Sequence, residues 1–249
     1  MYYCCGITDT GRVREHNEDA FLINKIVMSK AQLETPLTPP FITAVADGVA
    51  GEISGEIASR LALELLTSMK INKKTDYEKK ILNIHAYLKR HGITHNNLNM
   101  QTTLCALAVD AENNATIINV GDSRLYRYRN GKIKQLSRDQ SLVQMLYENG
   151  HISKEQRINH AQKNVIFPAL GNVNTAPTVD VTKIEDGICH GDIILICSDG
   201  LSDYLTTSEF EDTLALPQKF YKRLARLIEI AGDNGSADNI TVVGIIVSS

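Results

Sequence analysis

Short, almost unbroken apolar runs rich in β-branched residues recur along this chain, at Phe41–Ala46, Leu104–Val109, residues 116–120, Ile193–Cys197 and Ile240–Val247. Runs of this length, bounded by turn residues, predict strands buried on both faces. A different spacing appears at Ile53, Ile57, Leu61, Leu65 and Met69, which recur every four residues and leave Glu56, Arg60 and Glu64 on another face. That pattern predicts a helix, with Ser54 as its cap. Further helices are predicted over residues 77–91, with Ile81, Ile84 and Leu88 inward, and over residues 220–231, with Leu224, Leu227 and Ile228 inward. Gly232 and the Asp233-Asn234-Gly235 turn mark the end of the last one.

Hairpin signals lie between these elements. A polar stretch over residues 110–115 joins two apolar runs, and Asn130-Gly131 forms a two-residue turn between residues 125–128 and 133–135. Strands laid down hairpin by hairpin predict antiparallel sheets with helices outside them, an α+β architecture and not a doubly wound parallel one. Residues 28–40, with Pro36, Pro39 and Pro40, read as a surface connection. Residues 139–170 mix helical and polar character and form a candidate flap. No repeat or linker divides residues 1–249, so a single domain is expected.

Composition narrows the function. A hydrophobic fraction of 43% supports a sizeable core, and a net charge of −3 excludes a mainly nucleic-acid or anionic-membrane partner. The cysteines Cys4, Cys5, Cys105, Cys189 and Cys197 are odd in number, contain no Cys-x-x-Cys pair, and read as reduced, mostly buried thiols. Without a basic leader or a membrane-length apolar stretch, a soluble cytoplasmic protein is expected, acting as a monomer.

The chemistry collects where apolar runs stop. Residues 41–46 run into Asp47-Gly48, residues 116–120 into Gly121-Asp122-Ser123, and residues 193–197 into Ser198-Asp199-Gly200, while Asp238 stands just before the last run. Carboxylates delivered to one sheet rim are expensive unless a cation shares their charge, and hard oxygen ligands point to Mg²⁺, Mn²⁺ or Ca²⁺. Taken singly, Asp47-Gly48, Asp199-Gly200 and Asp238-Asn239 each read as ordinary turns. Near the N-terminus, Arg14, Glu18 and Asp19 add a guanidinium suited to a phosphate and two more carboxylates.

The ordered set Arg14-x-x-Asn17-Glu18-Asp19-Ala20, Val45-Ala46-Asp47-Gly48, Thr102-Thr103-Leu104, residues 120–126, residues 136–139, Ala169-Leu170-Gly171, Ser198-Asp199-Gly200-Leu201 and residues 238–243 resembles the bacterial branch of the protein phosphatase 2C family. Each motif is weak alone; the ordered set is specific and spans nearly the whole chain.

The resemblance implies a four-layer α-β-β-α sandwich of two antiparallel sheets flanked by helices, with two Mg²⁺ or Mn²⁺ ions in a cleft at one edge. Asp47 would bridge both ions, the Gly48 carbonyl would ligate one, and Asp199 and Asp238 would hold the other. Glu18 would act through metal-bound water, Asp19 would support that shell, and Asp122 with Asp199 would form a third, weaker site. Arg14 would grip the substrate phosphate. The implied reaction is hydrolysis of phosphoserine and phosphothreonine in proteins by a metal-bridging water, opposing a cognate Ser/Thr kinase.

Four departures from the family pattern stand out: Val49 where many eukaryotic members have histidine, Ala50 and Glu52 in place of a glycine and a histidine, Gln101 before Thr102-Thr103, and Pro168 before Ala169. The competing readings are a catalytically idle phosphoprotein-binding module, against which the retained aspartates speak, and an aspartyl-phosphate phosphotransferase, which wants an aspartate where Val49 stands. Gly121-Asp122-Ser123 also suggests a serine esterase, but no histidine follows His190 to complete it. His91 and His95, at helical ligand spacing, and His16, beside the acidic cluster, read as surface histidines before zinc ligands or a proton relay.

Overall fold

Consecutive residues of each central strand point to opposite sides, and both sides are buried. The computed structural model describes residues 1–49, 53–158, 160–163 and 165–247, so Ala50 and Glu52 lie outside the described residues. Its strands are β1 Tyr2–Asp9, β2 Ala20–Ile23, β3 Ile26–Met28, β4 Ala31–Leu37, β5 Phe41–Ala46, β6 Gly48–Val49, β7 Gln101–Thr102, β8 Leu104–Val109, β9 Ala115–Val120, β10 Arg124–Arg129, β11 Lys132–Gln135, β12 Asp180–Lys183, β13 Ile193–Cys197 and β14 Ile240–Val247. Its helices are α1 Ile53–Leu66, α2 Tyr77–Thr94, α3 Leu142–Glu148, α4 Lys154–Ile158, α5 Asp199–Ser202, α6 Thr207–Ala215 and α7 Phe220–Asp233.

One six-stranded sheet runs β11-β10-β13-β14-β1-β4, the other β12-β9-β8-β5-β2-β3, and their strand pairs are antiparallel. Three apolar layers follow from the alternation of side chains. Val45, Leu107, Ile196 and Val243 meet between the sheets. Ala44, Ala46, Ala106 and Ile118 face Ala62, Leu66, Ile81 and Leu88 of α1 and α2. Leu195, Cys197, Ile240 and Val242 face Phe210, Leu224 and Leu227 of α6 and α7. The result is two antiparallel sheets with flanking helices. A helix layer on each outer face is why these antiparallel strands read as unbroken apolar runs, a pattern more usual in parallel sheets.

Several sequence readings need correction. Residues 28–40 are not merely a connection, because β4 pairs with β1 there and sets Pro36 opposite Tyr3. The strand lies at the sheet edge, where a residue without an N–H removes no ladder bond from a neighbour. Ser54 sits inside the first turn of α1 and does not precede it. Gly232 also lies within its helix, which runs on to an Asn234 cap, and its missing side chain leaves room for Arg12, whose Nη1 donates to the Gly232 carbonyl at 3.0 Å. Helix α6 has too few apolar residues to show a stripe, yet its capping box, Thr206 with Glu209, was a readable signal. All five cysteines are free thiols, four buried and Cys189 exposed. Among the described residues, no helix is long and apolar enough to cross a membrane.

Candidate functional site

Register decides which strand ends meet. Ala20 pairs with Ala46, Leu104 with Val120, Arg124 with Cys197, and Cys197 with Val242. The end of β5, the starts of β2, β8 and β14, and the ends of β9 and β13 therefore share one rim of the sandwich. Asp47, Asp19, Asp122, Asp199 and Asp238 are carried there by chain connectivity alone. A cleft of about 190 Å³ opens at this rim, and its walls include Arg14, Glu18, Asp47, Gly48, Asp122, Asp199 and Asp238. Asp19 is not part of that wall; it lies buried behind it and accepts a hydrogen bond from Ser198 Oγ at 2.8 Å.

Close backbone approaches hold the rim together. A Cβ on Gly48 would fall 2.5 Å from the Gly55 carbonyl carbon, and one on Gly55 would fall 2.7 Å from Glu18 Oε1. Strand β6 and helix α1 thus touch backbone to backbone, which requires glycine on both sides. Asp47 is clamped from below: Thr103 N and Thr102 Oγ1 donate to its carbonyl at 2.8 and 2.9 Å, and its own N–H donates to Thr103 Oγ1 at 3.1 Å. Thr103 Oγ1 also pairs with Ser123 Oγ at 2.8 Å, tying Asp47 to the loop that carries Asp122. Asn239 performs the same task for the N-terminal segment, accepting from Glu18 N and donating to the carbonyls of Thr10 and His16, each at 2.9 Å. Ser198 caps no helix N–H with its side chain and spends its hydroxyl on Asp19 instead.

The electrostatics are those of unshared negative charge. Burial, then Asp19, Asp199, Asp122 and Asp238, push the Asp47 carboxyl well above the usual range. Burial and Asp199 do the same to Asp122, against the pull of Arg124. Burial raises Asp19 to about 7 despite hydrogen bonds from Thr241 and Ser198, and burial with Asp203 and Asp238 raises Asp199 to about 6. Asp47 and Asp199 line the same cleft, and the Asp199 charge is one of the causes that raise Asp47. Arg14 Nη2 donates to Asp238 Oδ2 at 2.9 Å, with both side chains about 40% exposed.

Among the described residues, no three carboxylate, imidazole or thiol groups already stand grouped around one metal position. Asp238 is held by Arg14, so it would turn to take up a shared cation. The donors at the cleft are carboxylate and carbonyl oxygens, the set that suits Mg²⁺ and Mn²⁺.

Other sequence candidates fall elsewhere. His16 is exposed and contributes only its backbone carbonyl to the rim. His91 and His95 stack on each other, with ring centroids 4.1 Å apart and an 18° interplanar angle, at the far end of α2. Flat stacking does not aim two ring nitrogens at one ion. The roles of Thr103, Gly55, Ser59 and Asn239 were not foreseen. The Thr-Thr pair before β8 was visible as a motif, whereas Ser59, whose Oγ donates to the Glu18 carbonyl at 2.6 Å, carries no sequence signal.

Comparison with known proteins agrees with this geometry. The family model described as Protein phosphatase 2C matches residues 15–241. The serine/threonine phosphatase stp of Listeria welshimeri is 33% identical over 247 residues, covering 95% of this chain and 92% of that protein. The crystal structure of the Mycobacterium tuberculosis serine/threonine phosphatase PstP/Ppp superposes with a TM-score of 0.81 at 28% identity, with full coverage of both chains. A PstP catalytic domain in complex with two manganese ions superposes with a TM-score of 0.78, also at 28% identity and full coverage. The chain belongs to the protein phosphatase 2C family, and is a protein phosphatase.

Proposed function

We propose that this protein hydrolyses phosphoserine and phosphothreonine in proteins with two Mn²⁺ or Mg²⁺ ions held at the carboxylate rim. The observation that carries the reading is the crowding of Asp47, Asp199, Asp238 and Asp122 at one cleft, with Asp47, Asp122 and Asp199 pushed toward their protonated forms. Asp47 is assigned to both ions, the Gly48 carbonyl to one, and Asp199 and Asp238 to the other. Glu18 is assigned to the water shell, Asp19 to its support, and Asp122 to a weaker third position. The manganese-bound PstP domain supports two ions.

When bound, the ions supply positive charge for the phosphoryl oxygens and lower the pKa of water toward neutrality. The chain's own groups do the rest. Arg14 gives up Asp238 and presents its planar fork to two phosphate oxygens, offsetting charge that grows in the transition state. Thr102 and Thr103 hold the Asp47 backbone so that its carboxylate needs little reorganisation. No cysteine is placed as a nucleophile: burial pushes the Cys4, Cys5, Cys105 and Cys197 thiols up, and Cys189 sits at the opposite end of the sandwich. Val49 offers no proton to the leaving serine or threonine oxygen, so solvent water is assigned that task. Members of this family commonly oppose a Ser/Thr kinase, and such a kinase's targets are the proposed substrates.

The test is hydrolysis of p-nitrophenyl phosphate and of a phosphothreonine peptide with Mn²⁺, with and without chelator. Turnover abolished by chelation supports the reading. Folded protein that hydrolyses neither substrate overturns it and leaves a phosphoprotein-binding module.

A further inference from the structure

A second cavity adjoins the carboxylate cleft, and apart from Asp122 its walls have no part in the chemistry above. It measures about 660 Å³, against about 190 Å³ for the carboxylate cleft, and Asp122 belongs to the walls of both. One side is formed by Asp139, Ser141, Val143, Arg157 and Lys163, pinned at its base where Gln140 N donates to the Gly121 carbonyl at 2.9 Å. The other side is the turn between α5 and α6, and the floor is formed by β10, β11 and Phe210 of α6.

Two features of its lining define what it would take. The floor is apolar and aromatic: Tyr126 and Phe210 pack with ring centroids 5.3 Å apart, flanked by Ile133, Leu205 and Val143. The cations around it are not equally committed. Arg124 is half-buried and bound by Asp139 at 2.8 Å and Asp203 at 2.9 Å. Lys163 leans on Asp203 at 3.6 Å and over the Tyr204 ring at 5.2 Å. Arg157, by contrast, makes no contact ion pair among the described residues. Its guanidinium is held by the neutral Gln144 side chain and the face of Tyr147, 5.3 Å from the ring centroid. The nearby Glu148 is already occupied by Arg138 and Gln144.

We propose that this cavity docks the stretch of phosphoprotein beside the phosphoresidue, with an apolar side chain on the Tyr126–Phe210 floor and an acidic side chain on Arg157. The inference rests on the proposed function, since it needs a phosphoresidue seated in the adjoining cleft. An extended peptide rises about 3.3 Å per residue, so flanking residues must leave the cleft across its lip within a residue or two. Asp122 is the part of that lip shared with the cavity. A free phosphate or small anion would use Arg157 and leave the apolar floor bare. A peptide that is acidic and apolar together satisfies both.

The experiment compares kcat/KM, with Mn²⁺, for phosphothreonine peptides that differ only in their flanking residues. One set is all alanine, one carries a Phe-Glu pair on either side of the phosphothreonine, and one carries Phe-Lys. Wild-type enzyme is expected to favour Phe-Glu on one side over alanine, on the order of tenfold. Arg157→Glu is expected to transfer the preference to Phe-Lys, a swap that partial misfolding cannot produce because only ratios are read. Thr207→Trp, which fills the cavity mouth, is expected to erase the contribution of Phe. Equal use of all peptides by wild-type enzyme, or a Phe-Glu preference that survives Arg157→Glu, overturns the docking proposal and leaves the phosphatase reading intact. Failure to hydrolyse any peptide overturns both.

Discussion

The two rims of the sandwich treat aspartate in opposite ways. At the rim away from the cleft, three aspartates are answered by the protein itself. Asp192 is gripped by Arg129 through two bonds of 2.7 Å and by the Cys189 N–H at 2.8 Å. Asp186 takes Arg127 and Arg129, and the Arg127 bond holds its carboxyl below the usual range. Asp110 is buried, which alone would raise it, yet Asn114 and the N–H groups of Asn114 and Glu112 outweigh that and lower it. At the cleft rim, Asp47, Asp122 and Asp199 are pushed the other way by burial and by one another. A fold able to neutralise aspartates at one end has left them crowded at the other, and that crowding is the mark of a site completed by an external cation.

The largest expected effect comes from removing one of the crowded charges. Asp47→Asn is expected to lower kcat by roughly a thousandfold while raising the melting temperature of the metal-free protein at neutral pH. The opposing substitution at the far rim, Asp192→Asn, is expected to cost about 2 kcal/mol of stability, read from denaturant midpoints, because the two charge-assisted bonds from Arg129 to Asp192 are weakened. If both substitutions moved stability in the same direction, the contrast between the rims would fail. Arg14→Ala is expected to raise KM for the phosphothreonine peptide by roughly tenfold, the scale of a charge-assisted bidentate contact. An unchanged KM would remove Arg14 from phosphate binding.

The smallest effect is a pH dependence with a definite sign. A carboxyl whose folded pKa is raised contributes stability below its unfolded value and loses it as pH climbs through the folded value. For Asp19 and Asp199 that window runs from the ordinary aspartate value of 3.8 up to about 7 and about 6. Metal-free protein is therefore expected to lose melting temperature across this window. The gain on adding Mn²⁺ is expected to be larger at about pH 8 than at about pH 5, where protons compete for the same oxygens.

Much of this contrast was legible in the sequence, because an apolar run that stops on Asp-Gly records both the strand and the rim on which its carboxylate sits. Asp47, Asp122, Asp199 and Asp238 could be placed in that way, and the order of motifs supplied the family. The supports were not legible. Gly55 matters only because α1 crosses β6 at backbone distance, and Ser198 looks like a helix cap until its hydroxyl is seen on Asp19. β4 was hidden by Pro36, whose meaning depends on lying at an edge, a property of the sheet and not of the segment.

The most direct measurement is an anomalous difference map from crystals soaked in Mn²⁺. Two strong peaks about 4 Å apart are expected at the cleft rim, both within ligand distance of Asp47, with Asp238 released from Arg14. A map without peaks there, with Asp238 still bound to Arg14, would contradict the account.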